Sequence, residues 1–66
     1  MRIDRFKLTT ELMKRGLTAK ALAEQAQLTR ATVCNVRTGK SCSYETGVKI
    51  ANALGMDLND LLEVNR

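Results

Sequence analysis

Apolar positions recur along the chain at the three- and four-residue spacing of helices, in five short runs separated by polar or glycine-containing breaks. In the first run Leu8, Leu12 and Met13 make a stripe between Asp4, suited to cap a helix start, and Gly16, suited to the left-handed turn that ends one. Lys14 and Arg15 fall in its last turn, where the helix dipole favours cations, while Thr9 and Thr10 weaken it through lost rotamer freedom. A second run of about two turns, Ala19 to Ala26, starts after Thr18 and places Leu22, Ala23 and Ala26 on one face. Thr29 caps a third, Arg30 to Thr38, which buries Val33 and Val36 and stops at Gly39. Ser43 caps a fourth, Tyr44 to Leu54, with Gly47, Ile50, Ala51 and Leu54 inward and Gly55 as its stop. Asp57 caps a short fifth whose Leu58, Leu61 and Leu62 face the body. Each start and most stops have a mechanism, and together they predict an all-α chain.

The second and third helices are separated by three residues, Gln27 to Thr29. So short a link predicts a steep crossing, the arrangement of a helix-turn-helix over residues 18–38. Such a crossing needs a small residue at the contact, supplied by Ala23, and an apolar residue in the turn, supplied by Leu28.

Composition narrows the function. Sixty-six residues make one domain, 1–66, that buries about 60% of its unfolded surface and has little room for a deep pocket. Histidine is absent, which removes the commonest general base and metal ligand. No nucleophile–base pair or metal set can be assembled, so an enzyme is not expected, nor a metal, cofactor or small-molecule ligand. Cys34 and Cys42, eight apart, have no zinc spacing and no partners to complete a site. A disulfide between them would tie the third helix to the following loop, but free thiols fit the cytoplasm expected for this chain. No apolar stretch is long enough to span a membrane, and MRIDRFK carries no apolar run of a signal peptide. Residues 1–51 hold ten Lys or Arg against four acids, a net of +6, while residues 52–66 hold Asp57, Asp60 and Glu63 against Arg66, a net of −2. That asymmetry suits a protein that meets a polyanion on one side, although a plain solvated surface would look alike by charge alone.

The stretch TAKALAEQAQLTRATVCNVRTGK resembles the helix-turn-helix of the Cro/CI-type (XRE-like) phage and bacterial repressors, and ETGVKIANALGMDLNDLL resembles their fourth and fifth helices. The likeness runs from about Leu8 to Leu62. It implies a compact five-helix, lambda-repressor-like domain whose third helix enters the major groove of double-stranded DNA. Arg30, Ala31, Cys34 and Asn35 would then face base edges: Arg30 toward guanine, Asn35 toward adenine, and Ala31 and Cys34 toward thymine methyls. Phosphate contacts would come from Thr18, Lys20, Thr29, Arg37, Thr38, Lys40, Ser41, Ser43 and Tyr44, while Lys7, Lys14 and Lys49 read as solvated charges. Three positions depart from the family pattern. Gln27 stands where glycine is frequent in the turn, Ala19 where a DNA-contacting glutamine is frequent, and Gly47 where leucine is usual, which weakens the fourth helix by about 1 kcal/mol and thins its core.

The resemblance implies a transcriptional regulator, a repressor that binds a palindromic operator as a homodimer with half-sites about 34 Å apart. The expected dimer surface is Met56, Leu58, Leu61, Leu62 and Val64, which could equally seal the core. The competing reading is an antitoxin-like or adaptor module that keeps the fold and binds protein. An RNA binder is disfavoured because Tyr44 and Phe6 are the chain's aromatics, which leaves little for base stacking.

Overall fold

The computed structural model describes residues 1–62 and arranges them as α1 (Arg5–Arg15), α2 (Ala19–Ala26), α3 (Arg30–Arg37), α4 (Tyr44–Leu54) and α5 (Leu58–Leu61). Every helix opens on a side-chain cap. Asp4 Oδ1 accepts from the N–H groups of Phe6 (2.9 Å) and Lys7 (3.2 Å), and Asp57 Oδ1 accepts from that of Asn59 (3.0 Å). Thr18, Thr29 and Ser43 accept from the third residue beyond each of them. These bonds satisfy amides that a helix start would otherwise leave unpaired.

Three helices share one stop. Gly16, Gln27 and Gly55 each adopt the left-handed conformation, and the next residue's N–H closes a bond five residues back: Leu17 to Leu12 O, Leu28 to Ala23 O, Met56 to Ala51 O. This is the Schellman arrangement, in which an apolar residue follows the left-handed one. Leu17, Leu28 and Met56 are half-buried against the core. Each also immediately precedes the cap of the next helix, five residues before a core side chain: Leu17–Leu22, Leu28–Val33, Met56–Leu61. That is the spacing of a hydrophobic staple. One side chain thereby ends one helix and sets the entry angle of the next.

The core joins Leu8 and Leu12 of α1, Leu22 and Ala23 of α2, Val33 and Val36 of α3, and Ile50, Ala51 and Leu54 of α4. α2 packs against both α3 and α4, with α1 against α3 and α5 against α4. Fully burying an aliphatic side chain of this size contributes about 1.5–3 kcal/mol. No polar side chain among the described residues is buried, so the interior carries no desolvated charge.

The structure corrects four expectations. α3 ends at Arg37, and Thr38 is its cap, with its hydroxyl donating to the Asn35 carbonyl at 2.8 Å. Met13 is 77% exposed, because α1 buries one narrow stripe and Met13 lies beside it. Leu61 is fully buried in the core and offers no surface to a second chain. Gly47 does not leave the core thin: a Cβ there would lie 2.7 Å from Met1 Sδ and 3.1 Å from Leu58 Cδ1, so Met1 and Leu58 fill the space.

The N-terminal residues are also part of the structure. Ile3 is 1% exposed and pairs in a single antiparallel bridge with Leu62, next to the Asp4 N–H bond to Leu61 O at 2.7 Å. Ile3 precedes the Asp4 cap and stands five residues before Leu8, the same staple spacing. That spacing was the signal available in the sequence.

Candidate nucleic-acid interface

α2 packs on α3, and Ala23 of α2 shares the buried core with Val33 and Val36 of α3. Between them Gln27 takes φ 57° and ψ 42°, the left-handed conformation that turns the chain steeply enough for α3 to cross α2. Burial of Val33 and Val36 fixes which face of α3 points away from the body. Around the rest of α3 Arg30, Ala31, Asn35, Arg37 and Thr38 are exposed and Cys34 is half-buried. The Asn35 side-chain amide has no partner among the described residues, while its backbone carbonyl accepts from the N–H groups of Thr38 (3.2 Å) and Lys40 (3.1 Å). The amide is therefore held on a firm backbone with its hydrogen-bonding capacity unspent.

The other predicted contacts surround α3. Thr18 and Lys20 open α2, and Ser43 and Tyr44 open α4, with the Tyr44 ring 69% exposed. Lys40 and Ser41 lie exposed in the loop after α3. The hydroxyls of Thr18, Thr29 and Ser43 are engaged as caps, and Thr29 also shares a 2.8 Å bond with Thr32 Oγ1. Their helix N-termini, more than their hydroxyls, are what they present to an anion.

Residues 38–43 are held by the N-terminal residues Met1 and Arg2. The Arg2 guanidinium donates twice to the Gly39 carbonyl, from Nε at 3.1 Å and Nη2 at 3.0 Å. The Cys42 N–H donates to Met1 O at 2.7 Å, and the Met1 amino group donates to Cys42 O at 2.9 Å. Arg2 is thus a positioning residue for the loop that carries Lys40 and Ser41. No local pattern marks it, because its partner lies 37 residues away.

Among the described residues three cations are ion-paired: Lys14 and Arg15 pair with Glu11 at 3.5 and 3.4 Å, and Lys49 pairs with Glu45 at 3.4 Å. Lys20, Arg30, Arg37 and Lys40 make no ion pair among the described residues, so their field is not cancelled locally. Both cysteines are free. Burial pushes the Cys42 thiol above its ordinary value, against a smaller opposing pull from the N-terminal ammonium. No described cluster of acids or cysteines could hold a metal ion, and no described helix is long and apolar enough to cross a membrane.

Of the expected dimer residues, Met56, Leu58 and Leu62 are half-buried, Leu61 is spent on the core, and Val64 lies outside the described residues. The largest apolar exposure at that end is Phe6, 71% exposed, with the Arg5 guanidinium 5.1 Å from its ring centre.

Residues 7–66 match the family model described as a Cro/C1-type HTH DNA-binding domain. No curated protein sequence matches the chain. Among solved structures, a tyrosine-to-phenylalanine mutant of hydroxyethylphosphonate dioxygenase is similar at 26% identity with a TM-score of 0.86. The native protein PhpD with cadmium is similar at 26% identity and 0.84, and PhpD with cadmium and hydroxyethylphosphonate at 26% and 0.83. The likeness covers 100% of this chain and 14% of each of those chains.

Proposed function

Because the chain belongs to the Cro/C1-type HTH DNA-binding domain family, we propose that this DNA-binding regulator is a repressor that occupies a palindromic operator as a homodimer. The observation that carries this reading is the exposed surface of α3, where Asn35, Ala31 and Cys34 stand among cations that make no ion pair among the described residues. Seated in the major groove, that face presents an amide to adenine and small apolar groups to thymine methyls. The starts of α2 and α4, with Lys20, Lys40, Ser41 and Tyr44, meet the phosphates on either side and set the register. One eight-residue helix reads few base pairs, so useful specificity calls for two copies. The molecule's long dimension of 31 Å is compatible with α3 helices about 34 Å apart on one face of the duplex. Met56, Leu58 and Leu62, at the end that carries α5, are the surface proposed for pairing the copies.

The test is selection from random duplex DNA at two salt concentrations, with sedimentation of the protein alone and on the selected site. An enriched inverted repeat, bound by two copies and weakened at high salt, supports the operator model. Salt-sensitive binding without an enriched sequence sinks it. A second reading, an antitoxin-like or adaptor module, draws on the occurrence of this fold as a 14% segment of the hydroxyethylphosphonate dioxygenase chain. It requires that Asn35→Ala leave the protein's interactions intact, whereas an operator reader loses its preferred site.

A further inference from the structure

The exposed residues of α3 do not form one surface. With about 100° between successive residues, Ala31, Cys34, Asn35 and Thr38 straddle the line opposite the buried Val33 and Val36. Arg30 and Arg37, seven residues apart, lie together on one flank, within about 20° of each other around the axis. That flank faces the junction of α1 and α2. There Arg30 and Arg37 line a groove of about 380 Å³ together with Thr18 and Lys20, over an apolar floor that includes Leu12 and Leu17. Among the described residues no carboxylate lines it, and its three cations have no ion-pair partner. Three like charges set around an open concavity repel one another, and a multivalent anion placed among them removes that repulsion. Guanidinium groups bind phosphate with two parallel hydrogen bonds, and the ammonium of Lys20 adds a point charge.

We propose that Arg30, Arg37 and Lys20 grip one backbone phosphate of the DNA, so that Arg30 does not read guanine and α3 selects A·T base pairs through Ala31, Cys34 and Asn35. The proposal rests on the operator reading and sharpens it by assigning affinity and specificity to different faces of one helix. The outward line carries one amide, a methyl and a half-buried thiol. Those groups match adenine's paired donor and acceptor and thymine's methyl, and supply no cation for the guanine acceptors. The Thr38 hydroxyl proton is spent on the Asn35 carbonyl, which leaves that residue a methyl and acceptor lone pairs.

The experiment compares wild type, Arg30→Ala, Arg30→Lys and Asn35→Ala in selection from random duplexes, followed by titration of the selected site over a salt series. Helical circular dichroism and melting confirm that each exposed-site variant is folded. Wild type is expected to enrich A·T pairs beneath α3. Arg30→Ala is expected to bind every sequence more weakly, on the order of tenfold, with the same base preference and a salt slope shallower by about one. Arg30→Lys should recover part of the affinity, and Asn35→Ala should flatten the preference at one position. Guanine enriched by wild type and lost in Arg30→Ala would overturn the phosphate assignment while leaving the operator reading standing. No enrichment by wild type would overturn both.

Discussion

Three helices stop in the same geometry with two kinds of residue, which makes the cost of a left-handed side chain measurable within this one chain. Gly16, Gln27 and Gly55 hold φ of 63°, 57° and 65°. A Cβ added at Gly16 or Gly55 would meet no atom within 4 Å, so Gly16→Ala and Gly55→Ala alter backbone energy without a steric clash. An L-residue in this region costs about 1–2 kcal/mol, offset by about 0.4–1 kcal/mol because alanine loses less freedom than glycine on folding. The net loss is about 0.8 kcal/mol. Gln27→Gly runs the same exchange in reverse, since Gln27 is exposed and glycine relieves the strain at the turn. A domain of this size shifts its melting temperature by about 4–8 °C per kcal/mol. Gln27→Gly should therefore raise Tm by about 3–6 °C, and each Gly→Ala should lower it by a similar amount. Thermal melts followed by circular dichroism give the shifts, and urea titrations with an unchanged slope confirm that each variant exposes the same surface on unfolding. A Gln27→Gly variant no more stable than wild type, beside two destabilised alanine variants, would refute the reasoning at the turn. It would mean that the Gln27 side chain contributes what the strain removes. Three variants indistinguishable from wild type would refute the strain account altogether.

Ile3→Ala should lose about 2–5 kcal/mol, because Ile3 is 1% exposed; a urea midpoint near that of wild type would show that the N-terminal segment is not part of the core. Gly47→Leu introduces the residue usual in the family, yet overpacking against Met1 and Leu58 costs about 1–3 kcal/mol against a helix gain of about 1 kcal/mol, so it should destabilise by up to about 2 kcal/mol. A higher Tm for that variant would contradict the packing described. The Cys42 thiol is raised above 9.0 by burial, so its neutral form is the one the fold accommodates. The stability this gives is complete below the ordinary thiol value of the unfolded chain and is lost as pH rises through the higher folded value. Melting curves across that alkaline range should fall less steeply for Cys42→Ala than for wild type, and parallel curves would count against the burial effect.

The helices were legible because their signals are local. Asp4, Thr18, Thr29, Ser43 and Asp57 each cap the helix that follows through residues two or three away, and Gly16 and Gly55 end helices by their own backbone freedom. The crossing of α2 and α3 was legible for a similar reason: a three-residue link ending in Leu28–Thr29 leaves few geometries once Ala23 and Val33 are both buried. α3 ends one residue before Thr38, whose N–H still bonds back to Cys34 O while its hydroxyl bonds to Asn35 O. Met13 was assigned inward because helical spacing alone does not show how wide a stripe the neighbours can cover.

Which residues share a surface was decided by tertiary structure. Spacing along α3 puts Arg30 and Arg37 on one meridian, but the groove they line with Thr18 and Lys20 exists because α1 and α2 close against that flank. The fate of Gly47 was likewise out of reach of local pattern, since the atom that fills its place belongs to Met1, 46 positions away. Arg2 reaches Gly39 across 37 residues, and Ile3 reaches Leu62 near the other end of the described chain. The sequence by itself determined the helices, their caps, the helix-turn-helix and the outward residues of α3, because hydrogen bonds within a turn and apolar periodicity act over a few residues. The partners of Arg2, Ile3, Gly47 and the groove cations were set only on folding, because burial brings together segments that no short-range interaction connects.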